Sequence, residues 1–207
     1  MLNDIIFAGG GGTTAGNFEG GAVLTRSGAL TQVNRCTFLN NSTTADQAMG
    51  GAIANRGDMV ILDSFFSGNS VNSDKFESSG GALWSETSDI VVINSTFTGN
   101  SANGSADEVN GGAVAQNRMA GAHHYIHCTI VGNHTDGDGG ALSIKAFVAS
   151  THALIADDGN FVQSTVLATN TGGDCSQTNA EAISRGPNLS DDDTCTSWAG
   201  AAGIRTG

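Results

Sequence analysis

The stretch GGAVLTRSGALTQVNRCTFLNN, residues 20–41, decides the fold, because it returns at once as GGAIANRGDMVILDSFFSGN, residues 50–69. Both open on Gly-Gly-Ala plus an aliphatic residue and close on Phe-x-x-Asn. The opening recurs at Gly20, Gly50, Gly80, Gly111 and Gly139, at spacings of 30, 30, 31 and 28 residues, and leads each time into an aliphatic: Val23, Ile53, Leu83, Val114 and Leu142. The close recurs as Phe38-x-x-Asn41, Phe66-x-x-Asn69, Phe97-x-x-Asn100, Ile130-x-x-Asn133 and Leu167-x-x-Asn170. A near-constant period of this kind is the signature of a repeat architecture.

Short apolar runs lie between the two halves, such as Met59-Val60-Ile61-Leu62 and Ile90-Val91-Val92-Ile93. Each repeat thus offers three short β segments separated by Gly, Asn, Asp and Ser. Runs this short, among poor helix formers, exclude helices. Stacking equivalent strands in parallel predicts an all-β, single-domain right-handed parallel β-helix. It has about five rungs of roughly 30 residues, with three short strands each, over residues 1–170. Residues 171–207, where the repeat fades, are expected to form a C-terminal cap or the last rung's irregular return, within the same domain.

Aligning the rungs predicts interior columns. One holds Val33, Ile61, Val92, Tyr125 and Val162, a second Phe38, Phe66, Phe97, Ile130 and Leu167, and the post-GGA aliphatics make a third. Cys36, Ser64, Ser95, Cys128 and Thr165 share a small-residue column. Asn41, Asn69, Asn100, Asn133 and Asn170 read as a structural ladder at a turn that tolerates left-handed geometry. The polar segments 42–49, 70–79 and 101–110 read as loops projecting from one edge, where solenoids often carry their binding function.

Composition agrees with an ordered repeat: 30 Gly but 1 Pro, with 39% hydrophobic residues. A net charge of −12, from 20 acids against 8 bases, argues against nucleic acid and anionic membranes as partners. No apolar run is long enough for a membrane-spanning helix, so no membrane insertion is expected. The opening MLNDIIFAGGGG lacks the basic start of a signal peptide, and the chain is expected to be a fragment or a mature form without its leader.

The alternation of GGA-[I/L/V] with F-x-x-N resembles the repeats of the chlamydial polymorphic outer membrane proteins. The tail, with NTGGDCS (170–176) and GPNLSDDDTC (186–195), is similar to the end of bacterial secreted β-helix proteins of the choice-of-anchor kind. The resemblance implies a secreted or cell-surface protein, with adhesins among its relatives.

Candidate sites follow from side-chain chemistry. Cys36 and Cys128, three rungs or roughly 14 Å apart, are too distant for a disulfide. Cys175 and Cys195 are expected to pair and staple the tail, which suggests an oxidising compartment. Trp84 should point outward onto a face of small residues, where it can stack on a sugar ring or equally pack under a loop. Asp136 and Asp138 flank a Gly in a way that suits calcium, as do the acidic pairs and triplets Asp157-Asp158 and Asp191-Asp192-Asp193; otherwise no cofactor is expected. His123, His124 and His127 would not converge on one strand.

The function these features support is a non-catalytic extracellular or cell-surface module: an adhesin, a stalk, or a scaffold binding a surface glycan or protein. The alternative is a polysaccharide lyase or glycoside hydrolase, which needs a base or two carboxylates in a groove. Unpaired strand edges on the end rungs suggest end-to-end self-association, which a strictly monomeric mass across concentration would rule out.

Overall fold

The computed structural model describes residues 1–86, 89–105, 108–117, 122–145, 160–178, 182–185, 187–197 and 204–206. These form an all-β parallel solenoid of about five turns. Every described strand pairing is parallel, and the β segments recur rung by rung.

Four sheets run along the axis. The first holds Leu30–Asn34, Asp58–Leu62, Ile90–Ile93, His123–Ile126 and their neighbours above and below. The second is built on Thr37–Leu39, Phe65–Ser67, Thr96–Thr98 and Thr129–Val131. The fourth is built on Val23–Thr25, Ile53–Asn55, Leu83–Ser85, Val114–Asn117 and Leu142–Lys145. These three correspond to the segments expected from the repeat.

The third sheet corrects the expectation of three strands per rung. Segments read as projecting loops are strands: Gly11–Glu19 and Ser42–Met49 are continuous, and later rungs divide the same path into Ser70–Asn72 with Glu77–Ser79 and Ser101–Asn103 with Glu108–Asn110. The apolar alternation here is faint, because the inward residues Ala45, Ala48, Val71, Ala102 and Val109 stand singly among polar neighbours. The backbone pairs because neighbouring rungs present matching edges. The tail also keeps coiling. Cys175–Thr178 extends the fourth sheet, Ala182–Arg185 the first and Asn188–Ser190 the second, where the expectation is an irregular cap or return.

The interior is made of the predicted columns. Val33, Ile61, Val92, Tyr125 and Val162 are all buried, in register. Phe7, Phe38, Phe66 and Phe97 stack with centroids 4.8, 4.6 and 4.5 Å apart, so each ring sits at the rung spacing and within 10° of parallel to the next. Three left-handed corners turn each rung, one of them at Gly20, Gly50, Gly80, Gly111 and Gly139 between the third and fourth sheets. The corner between the first and second sheets uses Arg35, Asp63, Asn94, His127 and Ser164; that between the second and third uses Asn40, Gly68, Gly99, Gly132 and Thr169.

The ladder asparagines follow this second corner rather than occupy it, and they are buried inside. Asn69 shows the arrangement. Its Oδ1 accepts from the Asn41 backbone N–H (3.0 Å) and Asn41 Nδ2 (2.9 Å), while its Nδ2 donates to Phe38 O (3.0 Å) and Asn100 Oδ1 (2.9 Å). Asn100 and Asn133 repeat it, so their side-chain amides are fully satisfied without water.

Candidate functional site

Along the fourth sheet, residues alternate between the interior and the outer face. Leu83 points in, and Trp84 therefore points out, in a column with Leu24, Ala54 and Ala115. Trp84 is 2% exposed, so of the two expectations it is packed under cover and is not a bare stacking platform. The small neighbours Ala54 and Ala115 and the thioether of Met49 pack against it. The Arg56 guanidinium lies 5.4 Å from the ring centroid, at cation–π distance.

The cover comes from the third sheet, whose last segment turns at Gly50 (φ 64°) and its equivalents into the fourth. A Cβ on the next residue, Gly51, would overlap the carbonyl oxygens of Gly81 and Ser70, so the sharp corner needs glycine there too. Across this corner the column Asn17–Gln47–Glu77 faces the column Arg56–Glu86–Asn117. Between them lies a pocket of about 240 Å³, with Met49 and Trp84 at its apolar side.

Charge in the pocket is arranged unevenly. Arg56 makes a two-pronged pair with Glu19, Nη2 to Oε1 at 2.7 Å and Nε to Oε2 at 3.1 Å, and its Nη1 reaches Glu86 Oε2 at 3.0 Å. Glu77, 7% exposed, accepts instead from two amides, Gln47 Nε2 at 2.7 Å and Asn117 Nδ2. No ion pair among the described residues includes Glu77. Trp84 Nε1 and Asn117 Oδ1 are buried without a hydrogen-bond partner. Trp84 is legible from the sequence here, whereas Gln47 and Glu77 lie in segments read as loops.

The remaining candidates fall elsewhere. Asp136 accepts from the Gly104 N–H at 2.9 Å and sits 3.0 Å from His134 Nε2; the Gly104 bond first, then His134, holds its carboxyl below the ordinary range. Asp138 is exposed in a bridge beside Asn110, and among the described residues the two carboxylates gather no third. The acidic group that does converge among the described residues is Asp174, Asp191 and Asp192, with oxygens within 4.8 Å of one another. It is knit internally: Asp174 accepts from Asn170 Nδ2 at 2.8 Å and Ser190 Oγ at 2.5 Å, and Asp192 from the Asp174 N–H at 2.8 Å. Burial pushes the Asp174 carboxyl above its ordinary range. Asp157 and Asp158 lie outside the described residues.

Cys175 and Cys195 are joined by a disulfide, which is compatible with an extracellular protein. Cys36 and Cys128 are free and buried, and burial pushes the Cys128 thiol up to about 11, so it is inert at neutral pH. The histidines do not share a site: His123 Nδ1 is 3.1 Å from Tyr125 Oη, His124 stacks on Phe161 at 4.0 Å, and His127 forms a left-handed corner. No helix among the described residues is long and apolar enough to cross a membrane. Comparison with family models, curated proteins and solved structures finds no significant match, so the pocket between the third and fourth sheets stands on its own chemistry.

Proposed function

We propose that this protein is a non-catalytic secreted or cell-surface β-solenoid module that binds a glycan through the pocket at Trp84. The observation that carries the reading is that pocket's lining: an indole, amides and carboxylates on a rigid face, with the carboxylates already engaged by Arg56, Gln47 and Asn117. Hydrolysis needs one carboxyl free to give a proton and another free to attack or activate water. Engaged acids suit recognition better. The Cys175–Cys195 disulfide and the resemblance to polymorphic outer membrane protein repeats support the location.

The two carboxylates Glu77 and Glu86 lining one pocket favour a glycoside hydrolase as the second reading. Incubating the protein with a panel of neutral, basic and acidic polysaccharides, with and without calcium, separates the two. Retention without shortening of the polymer is the expected result. New reducing ends or unsaturated products would replace the binding module with an enzyme, and no retention at all would remove the glycan.

A further inference from the structure

We infer that the pocket at Trp84 selects a sugar carrying a protonated amine, a glucosamine-type residue, with Glu77 as the acceptor for the ammonium. The inference rests on the glycan-binding reading above and names its substrate class. Its first support is charge. Among the described residues Arg56 is paired with Glu19 and Glu86, while Glu77 is a nearly buried carboxylate that accepts from amide donors and enters no ion pair. A charge held away from water without a counter-ion is costly, and a ligand cation removes that cost. The pocket and the chain's net charge of −12 both disfavour uronates and sulfated sugars.

The second support is the pair of unmet polar atoms. Trp84 Nε1 offers a donor and Asn117 Oδ1 an acceptor, and both residues are more than nine-tenths buried and line the same pocket as Glu77. A lysine side chain would satisfy Glu77 but not these two; a ring bearing hydroxyls beside its amine meets all three. The volume of about 240 Å³ lies below the range of about 300–1,000 Å³ for drug-sized ligands and suits one sugar ring of a longer chain. Arg56, about one-third exposed, lines the same pocket with its guanidinium 5.4 Å from the indole centroid.

The test follows the indole N–H resonance of Trp84 by nitrogen-15 NMR in the full chain, in a Trp198→Phe background so that one indole signal remains. The probes are a glucosamine oligosaccharide, its fully N-acetylated counterpart, an oligogalacturonate and a lysine-rich peptide. The expected result is saturable movement of the Trp84 signal with the glucosamine oligomer, and binding of it about tenfold tighter than of the N-acetylated form. Glu77→Gln is expected to erase that preference while leaving the circular dichroism unchanged. A separate Trp84→Phe variant, which keeps a ring and loses the N–H, is expected to weaken the retention of the glucosamine oligomer on affinity chromatography. Equal binding of both oligomers, indifferent to Glu77→Gln, would overturn the amine selectivity and leave the glycan-binding reading standing. Binding that leaves the Trp84 signal unmoved would overturn the site. Response to the lysine peptide alone would overturn the ligand class in favour of a protein partner, and no response to any glycan would overturn this inference and the glycan-binding reading together.

Discussion

Thr169 holds a left-handed backbone (φ 55°) at the corner where Gly68, Gly99 and Gly132 hold the same conformation in the rungs before it. A β-branched residue is strained there, by of order 1–3 kcal/mol, and Thr169 is exposed with little packing to lose. Thr169→Gly is therefore expected to stabilise the protein by about 0.5–1 kcal/mol, seen as a melting temperature raised by a few degrees; a lower melting temperature would mean the threonine side chain contributes more than its strain. The opposite is expected at Asn100, whose amide serves four partners in the interior. Asn100→Ala leaves buried donors and acceptors unmet at about 1–3 kcal/mol each, which urea unfolding would register as a large fall in midpoint. The ladder was legible from spacing alone. Which residue of each corner turns left-handed was not, because Asn40 and Asn41 are adjacent and either residue type tolerates that geometry.

At the level of the element, legibility followed the apolar pattern. The second sheet declared itself through Phe38, Phe66 and Phe97, whose rings must stack once the rungs are in register. The third sheet did not, since its inward side chains, Ala45, Ala48, Val71, Ala102 and Val109, are mostly small and isolated among hydroxyls, amides and acids, too weak a pattern to mark strands before the rungs pair. The pocket inherits that blindness, because one of its walls is this sheet. Phe66→Ala is expected to cost about 3–5 kcal/mol by opening a cavity between Phe38 and Phe97, whereas Phe66→Leu, which keeps most of the volume, costs less. Equal losses would show that the stack adds nothing beyond its volume. At the far end of the ladder, Asp174 titrates above the ordinary carboxylate range because it is buried. The folded state then holds its proton more tightly than the unfolded one. That contribution is complete below the ordinary carboxylate pKa and is lost as pH rises through the raised value. Asp174→Asn is expected to flatten this part of the stability–pH curve, and an unchanged slope between the two proteins would exclude Asp174 as its source.

Across the whole molecule, the described strands pair with those of adjacent rungs, so stability is close to a sum of local terms. The Cys175–Cys195 bridge spans 20 residues, a closure worth about 3 kcal/mol, and its effect should stay near the tail. Replacing both cysteines by serine is expected to raise amide hydrogen exchange in 160–197 while the stack from Phe7 to Phe97 keeps its protection; uniform loss would reveal one cooperative unit instead. The asparagine ladder has a further property. Every side-chain amide donates in the same sense, Asn41 to Asn69, Asn69 to Asn100, Asn100 to Asn133, Asn133 to Asn170, and finally Asn170 to the Asp174 carboxyl. Aligned amide dipoles add, as they do along a helix, and the positive end of this row meets an acid. The solenoid thus carries an internal electrical polarity along its axis: its two ends are unlike, and a rung inserted upside down would break the row.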